Sequence, residues 1–343
     1  MKERIDQPGW ISRMLSCIFL LTCISVSANA ANYVTVAVIG NRVPVPDKTQ
    51  GMQKVVEQVK GFWHKKILQV LPDKPDLIVL PEYCDFPKGI SRQEREEYLN
   101  VRKNQIQEFF ASESKANRCY IAFGMRREME DGNWRNSCII VDREGNIAGI
   151  YDKKFPTVGD MEGGVKTSDK TPIIQCDFGT IGCAICFDLN FDELRRVYEQ
   201  KKPDIIVFPS MYHGGLVQNT WAYSCRSFFA GAMAFREIPS EILNPQGEIV
   251  ASTTNYFDYT VARINLDCRL AHLDGNWEKL TSLKAKYGSA VKITDPGRLG
   301  SVLISSEDKN IPVEQMIKEF EIELLDDYFD RSRRYRLEPG NME

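Results

Sequence analysis

Three short segments bring together a carboxylate, an ammonium and a thiol, each at the end of an apolar run. They are Leu80-Pro81-Glu82-Tyr83, Tyr151-Asp152-Lys153-Lys154-Phe155-Pro156 and Gly182-Cys183-Ala184-Ile185-Cys186-Phe187-Asp188. A carboxylate directly after a buried strand, as at Glu82, is partly desolvated and suited to proton transfer. A lysine held among carboxylates keeps its charge and can stabilise a developing oxyanion. A cysteine at a turn between a strand and a helix gains from nearby backbone N–H groups, which favour the thiolate. Cys186 occupies such a turn, and the N–H of Phe187 beside it is a candidate oxyanion donor. Together these parts describe acyl transfer through a cysteine nucleophile.

Two rival chemistries fit less well. Cys183-x-x-Cys186 has the spacing of a redox pair or half a zinc site. Alternation along a strand would put the two side chains on opposite faces, however, and the sequence has neither a second C-x-x-C nor an H-x-x-H. The chain has three histidines. Neither His213 nor His272 sits in a recognisable setting for a Ser-His-Asp or Cys-His enzyme.

The elements that must position these groups alternate between strand and helix. Strands are read at 33–39, 76–80, 119–124, 137–141, 147–151, 173–176, 180–185 and 205–208, with a late hairpin about Pro245-Gln246-Gly247. Helices are read at 51–70, 91–116, 192–200, 217–233 and 312–334. Lys74-Pro75-Asp76-Leu77-Ile78-Val79-Leu80-Pro81 recurs as Lys202-Pro203-Asp204-Ile205-Ile206-Val207-Phe208-Pro209. Each copy follows a helix and ends in proline. Glu82 follows the first and Ser210 the second, so matched strand ends are expected to face one cleft. The loop from Ser210 to Gly215 and the loop after Glu82 are expected to line that cleft, with Tyr83, Tyr212 and Trp221 as an aromatic wall. No linker interrupts residues 31–343, which read as one α/β domain closed by a helical tail.

The chain is 43% hydrophobic and 27% charged with a net charge of −3, an ordinary globular balance. Without clustered Lys and Arg, nucleic acid is not an expected partner. Residues 1–30 read as a signal peptide. Arg13 precedes an apolar run over 14–26, and Ala28-Asn29-Ala30 has the small-x-small pattern of a cleavage site. Export is expected, with no membrane span after cleavage near Ala30. The cysteines outside the leader are scattered through apolar runs and are expected to be buried free thiols.

The three segments, in this chain order, resemble the nitrilase superfamily of carbon–nitrogen hydrolases, and the resemblance covers about residues 34–262. Leu80-Pro81-Glu82 fits the family's Glu motif. Tyr151-Asp152-Lys153 fits its Tyr-Arg-Lys motif, with Asp152 in place of the usual Arg, and the spacing to Pro156 favours Lys153 over Lys154. Gly182 to Asp188 fits its Gly-x-x-Ile-Cys-Tyr-Asp motif, with Phe187 in place of Tyr. The resemblance implies a four-layer α-β-β-α sandwich, a Glu82-Lys153-Cys186 triad and a second carboxylate balancing the lysine. Glu162 matches that carboxylate best, with Asp160 close by. It further implies a small amide or N-carbamoyl substrate, no cofactor, and assembly into a homodimer or larger homo-oligomer. Cys186-Phe187-Asp188 looks like the amidase and carbamoylase branches, whereas nitrilases usually carry Cys-Trp-Glu.

Overall fold

A computed structural model describes residues 30–342. The expected leader, residues 1–29, lies outside the described residues. Five strands, β1 (Tyr33–Ile39), β2 (Leu77–Val79), β3 (Tyr120–Glu128), β4 (Trp134–Val141) and β5 (Ile147–Asp152), build a first sheet. Six more build a second: β6 (Ile174–Cys176), β7 (Gly179–Cys183), β8 (Ile205–Ser210), β9 (Phe228–Met233), β10 (Glu241–Leu243) and β11 (Ile249–Ser252). Strand β12 (Tyr259–Asn265) then returns to the first sheet beside β1. The orders are β12-β1-β2-β3-β4-β5 and β11-β10-β9-β8-β7-β6.

Side-chain alternation builds the layers. Val34, Val36 and Val38 of β1 point into the core shared with the second sheet, while Ala37 and Ile39 point outward to the helices. Helices α1 (Met52–Val70), α2 (Arg92–Arg102) and α3 (Gln105–Asn117) cover that outer face. In α1, Val55, Val59, Trp63, Ile67 and Val70 repeat at helical spacing and are all buried. Trp63 also donates its indole N–H to the Cys84 carbonyl at 2.7 Å, which fastens the helix to the loop after β2. Truncating such a side chain to Ala costs about 3–5 kcal/mol. A short helix α4 (Val158–Glu162) follows β5, and α5 (Asp192–Lys201) and α6 (Leu216–Cys225) cover the second sheet. The expected four-layer α-β-β-α sandwich is the observed architecture.

The internal repeat extends to whole sheets. In each, one antiparallel strand flanks three parallel strands, β1-β2-β3 or β7-β8-β9, followed by two antiparallel ones. The Asp76 carboxylate accepts from Thr35 N–H at 2.9 Å, and the Asp204 carboxylate from Thr180 N–H at 2.8 Å. Their carbonyls accept from Tyr120 and Phe228 N–H in the same way. Lys74 and Lys202 both take left-handed backbone at φ 50° and 47°.

Four expectations about elements are corrected. The helix read over 91–116 is two helices, because Lys103 turns to φ 41° between α2 and α3. The helix read over 217–233 stops at Cys225, where Arg226 at φ 58° caps it, and Phe228 onward is the buried strand β9. The helical tail is likewise two helices, α8 (Val313–Glu319) and α9 (Leu325–Arg336), separated at Glu321 (φ 51°). The tail also packs on a third sheet that the sequence reading lacks. Its strands β13 (Cys268–His272), β14 (Val291–Thr294) and β15 (Ser301–Ser306) run in the order β13-β15-β14, with α7 (Trp277–Tyr287) inserted. Leu283, Ile304 and Met316 lie in a separate core there. Among the described residues, no helix is long and apolar enough to cross a membrane. The cysteines at 84, 119, 138, 176, 183, 186, 225 and 268 are all free thiols.

Candidate active site

Glu82 leaves β2 through Leu80, whose N–H bonds to the Ala122 carbonyl at 2.8 Å, and Pro81, whose carbonyl accepts from Gly124 N–H at 3.2 Å. Gly124 is required here, since a Cβ at this position would stand 2.7 Å from the Glu82 Cα. Tyr83 follows at φ 51°, a strained conformation for a non-glycine residue. The chain thereby turns sharply and leaves the Glu82 side chain buried between the sheets, 2% exposed.

Lys153 comes directly after β5 and is 1% exposed. Its Nζ donates to Glu82 Oε1 at 2.7 Å and lies 3.7 Å from Asp160 Oδ2. Burial works to lower its pKa, but Glu82, the Cys186 sulfur and Asp160 outweigh that and hold it above the ordinary lysine value. Lys153 is therefore an ammonium ion at neutral pH. Asn136 on β4 donates Nδ2–H to the same Glu82 Oε1 at 2.7 Å, and its carbonyl accepts from Lys153 N–H at 2.8 Å. Both side-chain donors land on Oε1, and the Cys186 thiol also bonds to the Glu82 carboxylate.

Cys186 sits two residues beyond Ala184, at φ 47°, and opens a single 3-10 turn over Cys186–Asn190. Asp188 holds this elbow. Its buried carboxylate accepts from Ile185 N–H at 2.9 Å, Phe155 N–H at 2.7 Å and Tyr151 O–H at 2.8 Å. Burial, opposed by those donors, pushes Asp188 up to about 6. Trp221 donates to the Leu189 carbonyl at 3.0 Å from beneath. N–H groups at the start of such a turn have no partner within it, and the Phe187 N–H is one of them. Burial first, and then the Glu82 carboxylate, push the Cys186 thiol up to about 12; Lys153 and the Met211 N–H pull it back only in part. The backbone N–H groups expected to favour a thiolate are thus outweighed, and the resting sulfur is a neutral thiol.

The three expected residues meet, and Lys153 rather than Lys154 makes the contact. The expectation for Glu162 is corrected: its side chain is exposed and makes no ion pair with Lys153, whereas Asp160 faces the ammonium. The cause is a capping box. Thr157 Oγ accepts from Asp160 N–H at 3.1 Å and the Asp160 carboxylate accepts from Thr157 N–H at 3.4 Å, which turns Asp160 inward at the start of α4. The pattern Thr157-x-x-Asp160 is legible in the sequence. The aromatic wall is also revised. Tyr83 donates its O–H to Asp160 at 3.1 Å. Tyr212 accepts from Asn190 Nδ2 at 2.9 Å beside the thiol. Trp221 is wholly core. Phe187 is 38% exposed. Asp152, where the family motif has Arg, pairs with Arg127 at 2.9 Å on the outer face of the sheet. Cys183 is buried in the core and His213 pairs with Glu241 at 3.1 Å. His272 stacks on Tyr328 in the third-sheet region. Among the described residues no cluster of His, Cys, Asp and Glu is arranged to hold a metal.

Sequence reasoning missed Asn136 and the Met211 N–H. An amide at the head of the apolar run 136–141 was the available signal for Asn136, because a buried polar group needs a partner. Met211 acts through its backbone and carries no such signal.

This fold and this cluster define the class. The carbon–nitrogen hydrolase family profile matches residues 35–267, and the chain belongs to that family, within the nitrilase superfamily. It is 22% identical over 217 residues to a hydrolase of Schizosaccharomyces pombe, covering 55% of this chain and 66% of that protein. It is 22% identical over 245 residues to an omega-amidase of Xenopus laevis, covering 65% and 84%. Among solved structures it resembles Saccharomyces cerevisiae Nit3, of branch 10 of the nitrilase superfamily, with a TM-score of 0.56, 16% identity and coverage of 78% and 97%. It also resembles the Caenorhabditis elegans NitFhit protein, with a TM-score of 0.59, 14% identity and coverage of 85% and 98%. The protein is a carbon–nitrogen hydrolase.

Proposed function

We propose that this enzyme hydrolyses the C–N bond of a small amide or N-carbamoyl compound through a thioester on Cys186. The observation that carries the reading is the convergence of Lys153 and Asn136 on one oxygen of Glu82 beside a neutral thiol. Glu82, fixed through Oε1 and bonded to the thiol, takes the thiol proton as sulfur attacks the carbonyl carbon. Lys153 and the Phe187 N–H hold the tetrahedral oxyanion. Glu82 returns the proton to the departing nitrogen, the C–N bond breaks, and the acyl group stays on sulfur. Water, deprotonated by Glu82, attacks the thioester and releases the acid. Asp160 balances the charge of Lys153. The amidase relatives support an amide substrate.

A nitrile would enter as a thioimidate, which must be protonated and hydrated before nitrogen leaves. Cys186-Phe187-Asp188 favours the amide route. The kcat/KM for the best amide or carbamoyl substrate is expected to exceed that for the matching nitrile by roughly a hundredfold, about 2.7 kcal/mol of transition-state preference. Assay of both on one side-chain scaffold tests this, and equal or faster nitrile hydrolysis overturns it. The reading includes export after cleavage near Ala30, checked by N-terminal sequencing of material released from cells, and self-association into a dimer or larger assembly, checked by light scattering.

A further inference from the structure

A cavity of about 160 Å³ opens where the third sheet docks against the other two. Tyr33 and Arg263 reach it from the first sheet, Phe228 and Asn244 from the second, and Lys292 and Leu303 from the third. Strand alternation explains the third sheet's share. Val291, Val302 and Ile304 face that sheet's own core, so Lys292, Thr294, Leu303 and Ser305 face the cavity. The family profile ends at residue 267, so this wall lies beyond the matched region.

The cavity has an apolar floor and a cationic rim. Phe228, Ile264 and Leu303 are buried and form the floor. The Arg263 guanidinium lies over the Tyr33 ring at 3.8 Å. Stacking of this kind fixes the guanidinium plane and leaves its N–H edge free to fork onto an oxyanion. Neither Arg263 nor Lys292 takes part in an ion pair among the described residues. Glu307, the carboxylate on the same wall, is engaged: it accepts from Tyr33 O–H, and from Ser305 Oγ at 3.1 Å. Asn244 Oδ1 accepts from Gln246 N–H at 2.9 Å and from Glu248 N–H at 3.0 Å. That fixes the amide and leaves its Nδ2 donors without an acceptor among the described residues. Unengaged cations and an oriented amide above an apolar floor are the parts of a site for an anion with an apolar body.

The geometry points to a binding site at this junction for a small organic oxyanion, a carboxylate or phosphate monoester on a short apolar body, held by Arg263, Lys292 and the Asn244 amide. The site is separate from the catalytic cluster. Phe228 opens β9, and Met233 at its other end pairs with Ser210, the residue before Met211, whose N–H reaches Cys186. Five strand steps put roughly 17 Å between the two ends. A ligand here bridges the hydrolase core and the C-terminal sheet, and it stabilises the folded chain by mass action.

Calorimetric titration with benzoate and with phenyl phosphate tests this. At least one is expected to bind and to raise the urea midpoint; the better of the two defines the head group. Benzyl alcohol lacks the charge, and acetate and inorganic phosphate lack the ring, so each should bind at least roughly tenfold more weakly. Arg263→Met and Lys292→Glu should each weaken the better probe by roughly tenfold or more, the scale of a hydrogen bond to a charged group. Lys292 is exposed, so its variant serves if Arg263→Met, which loses the Tyr33 stack, does not fold. Lys153→Ala removes the cation of the catalytic cluster and should leave probe binding unchanged. Four results overturn the inference: neither probe binds at millimolar concentration, the uncharged or ringless compounds bind equally well, binding is indifferent to the Arg263 and Lys292 substitutions, or binding is abolished by Lys153→Ala.

Discussion

The two facing sheets are the same unit used twice, and they differ where chemistry would occur. Both place three parallel strands in the middle, both anchor the central strand through an aspartate, and both enter that strand from a left-handed lysine. Yet Glu82 lies three residues beyond the end of β2, while β8 ends in Ser210, which spends its hydroxyl on a local turn with Tyr212. The strained elbow of the first sheet is at Tyr83, one residue past Glu82; that of the second is at Cys186, after β7. The first sheet supplies the charged pair, and the second supplies the sulfur and the N–H groups of Phe187 and Met211. The repeated scaffold fixes where strand ends meet. The residues placed at those ends determine what meets there.

If that division holds, substitutions at the strand ends abolish turnover and substitutions in the shared scaffold do not. The largest effects are expected for Lys153→Ala and Glu82→Gln, one from each end of the buried pair. Each should lower kcat by at least about a thousandfold, since oxyanion donors and general bases each contribute on the order of 10²–10⁴. Circular dichroism should show the fold retained. A variant of either residue that keeps a tenth of wild-type activity would contradict the roles assigned.

The next effect is on the thiol itself. Glu82 is among the groups that push Cys186 up to about 12, and Lys153 pulls the other way. Glu82→Gln should therefore lower the thiol's titration midpoint and Lys153→Ala should raise it. While thiolate is the minor form, alkylation rate follows its fraction. Iodoacetamide should then modify Cys186 faster in Glu82→Gln than in wild type at pH 8, although turnover is lost. Slower alkylation in that variant would show that Glu82 activates the resting thiol, against the neutral resting state described here.

The sequence exposed the Glu82, Lys153 and Cys186 cluster because each of these residues sits in a contiguous motif at the end of an apolar run. It exposed the repeat because both central strands are bracketed by Lys-Pro-Asp and Pro. It hid what depends on a single backbone angle. The run from Phe228 through Met233 is equally apolar as buried helix or buried strand, and only the left-handed turn at Arg226 decides. Asp160 and Glu162 are two residues apart, and the cap at Thr157 decides which one faces Lys153. The third sheet was missed because its strands are short and interrupted by α7, so no local periodicity marks them.

The smallest effect belongs to the scaffold. Asp76→Ala and Asp204→Ala each remove a carboxylate that holds the neighbouring strand's N–H. Each should cost about 1–2 kcal/mol, read as a shifted urea midpoint. Activity per folded molecule should be unchanged in both. Loss of kcat in one alone would show that the two halves are not mechanically equivalent.

The central claim is that sulfur from the second sheet becomes acylated while the first sheet manages the protons. Mass spectrometry of the enzyme quenched in acid during turnover of its best amide tests it most directly. The account predicts an added mass equal to the acyl group on the peptide containing Cys186, removed by hydroxylamine and absent in Cys186→Ala. An acyl group found on Cys183 or another side chain, or sustained hydrolysis by Cys186→Ala, would contradict it.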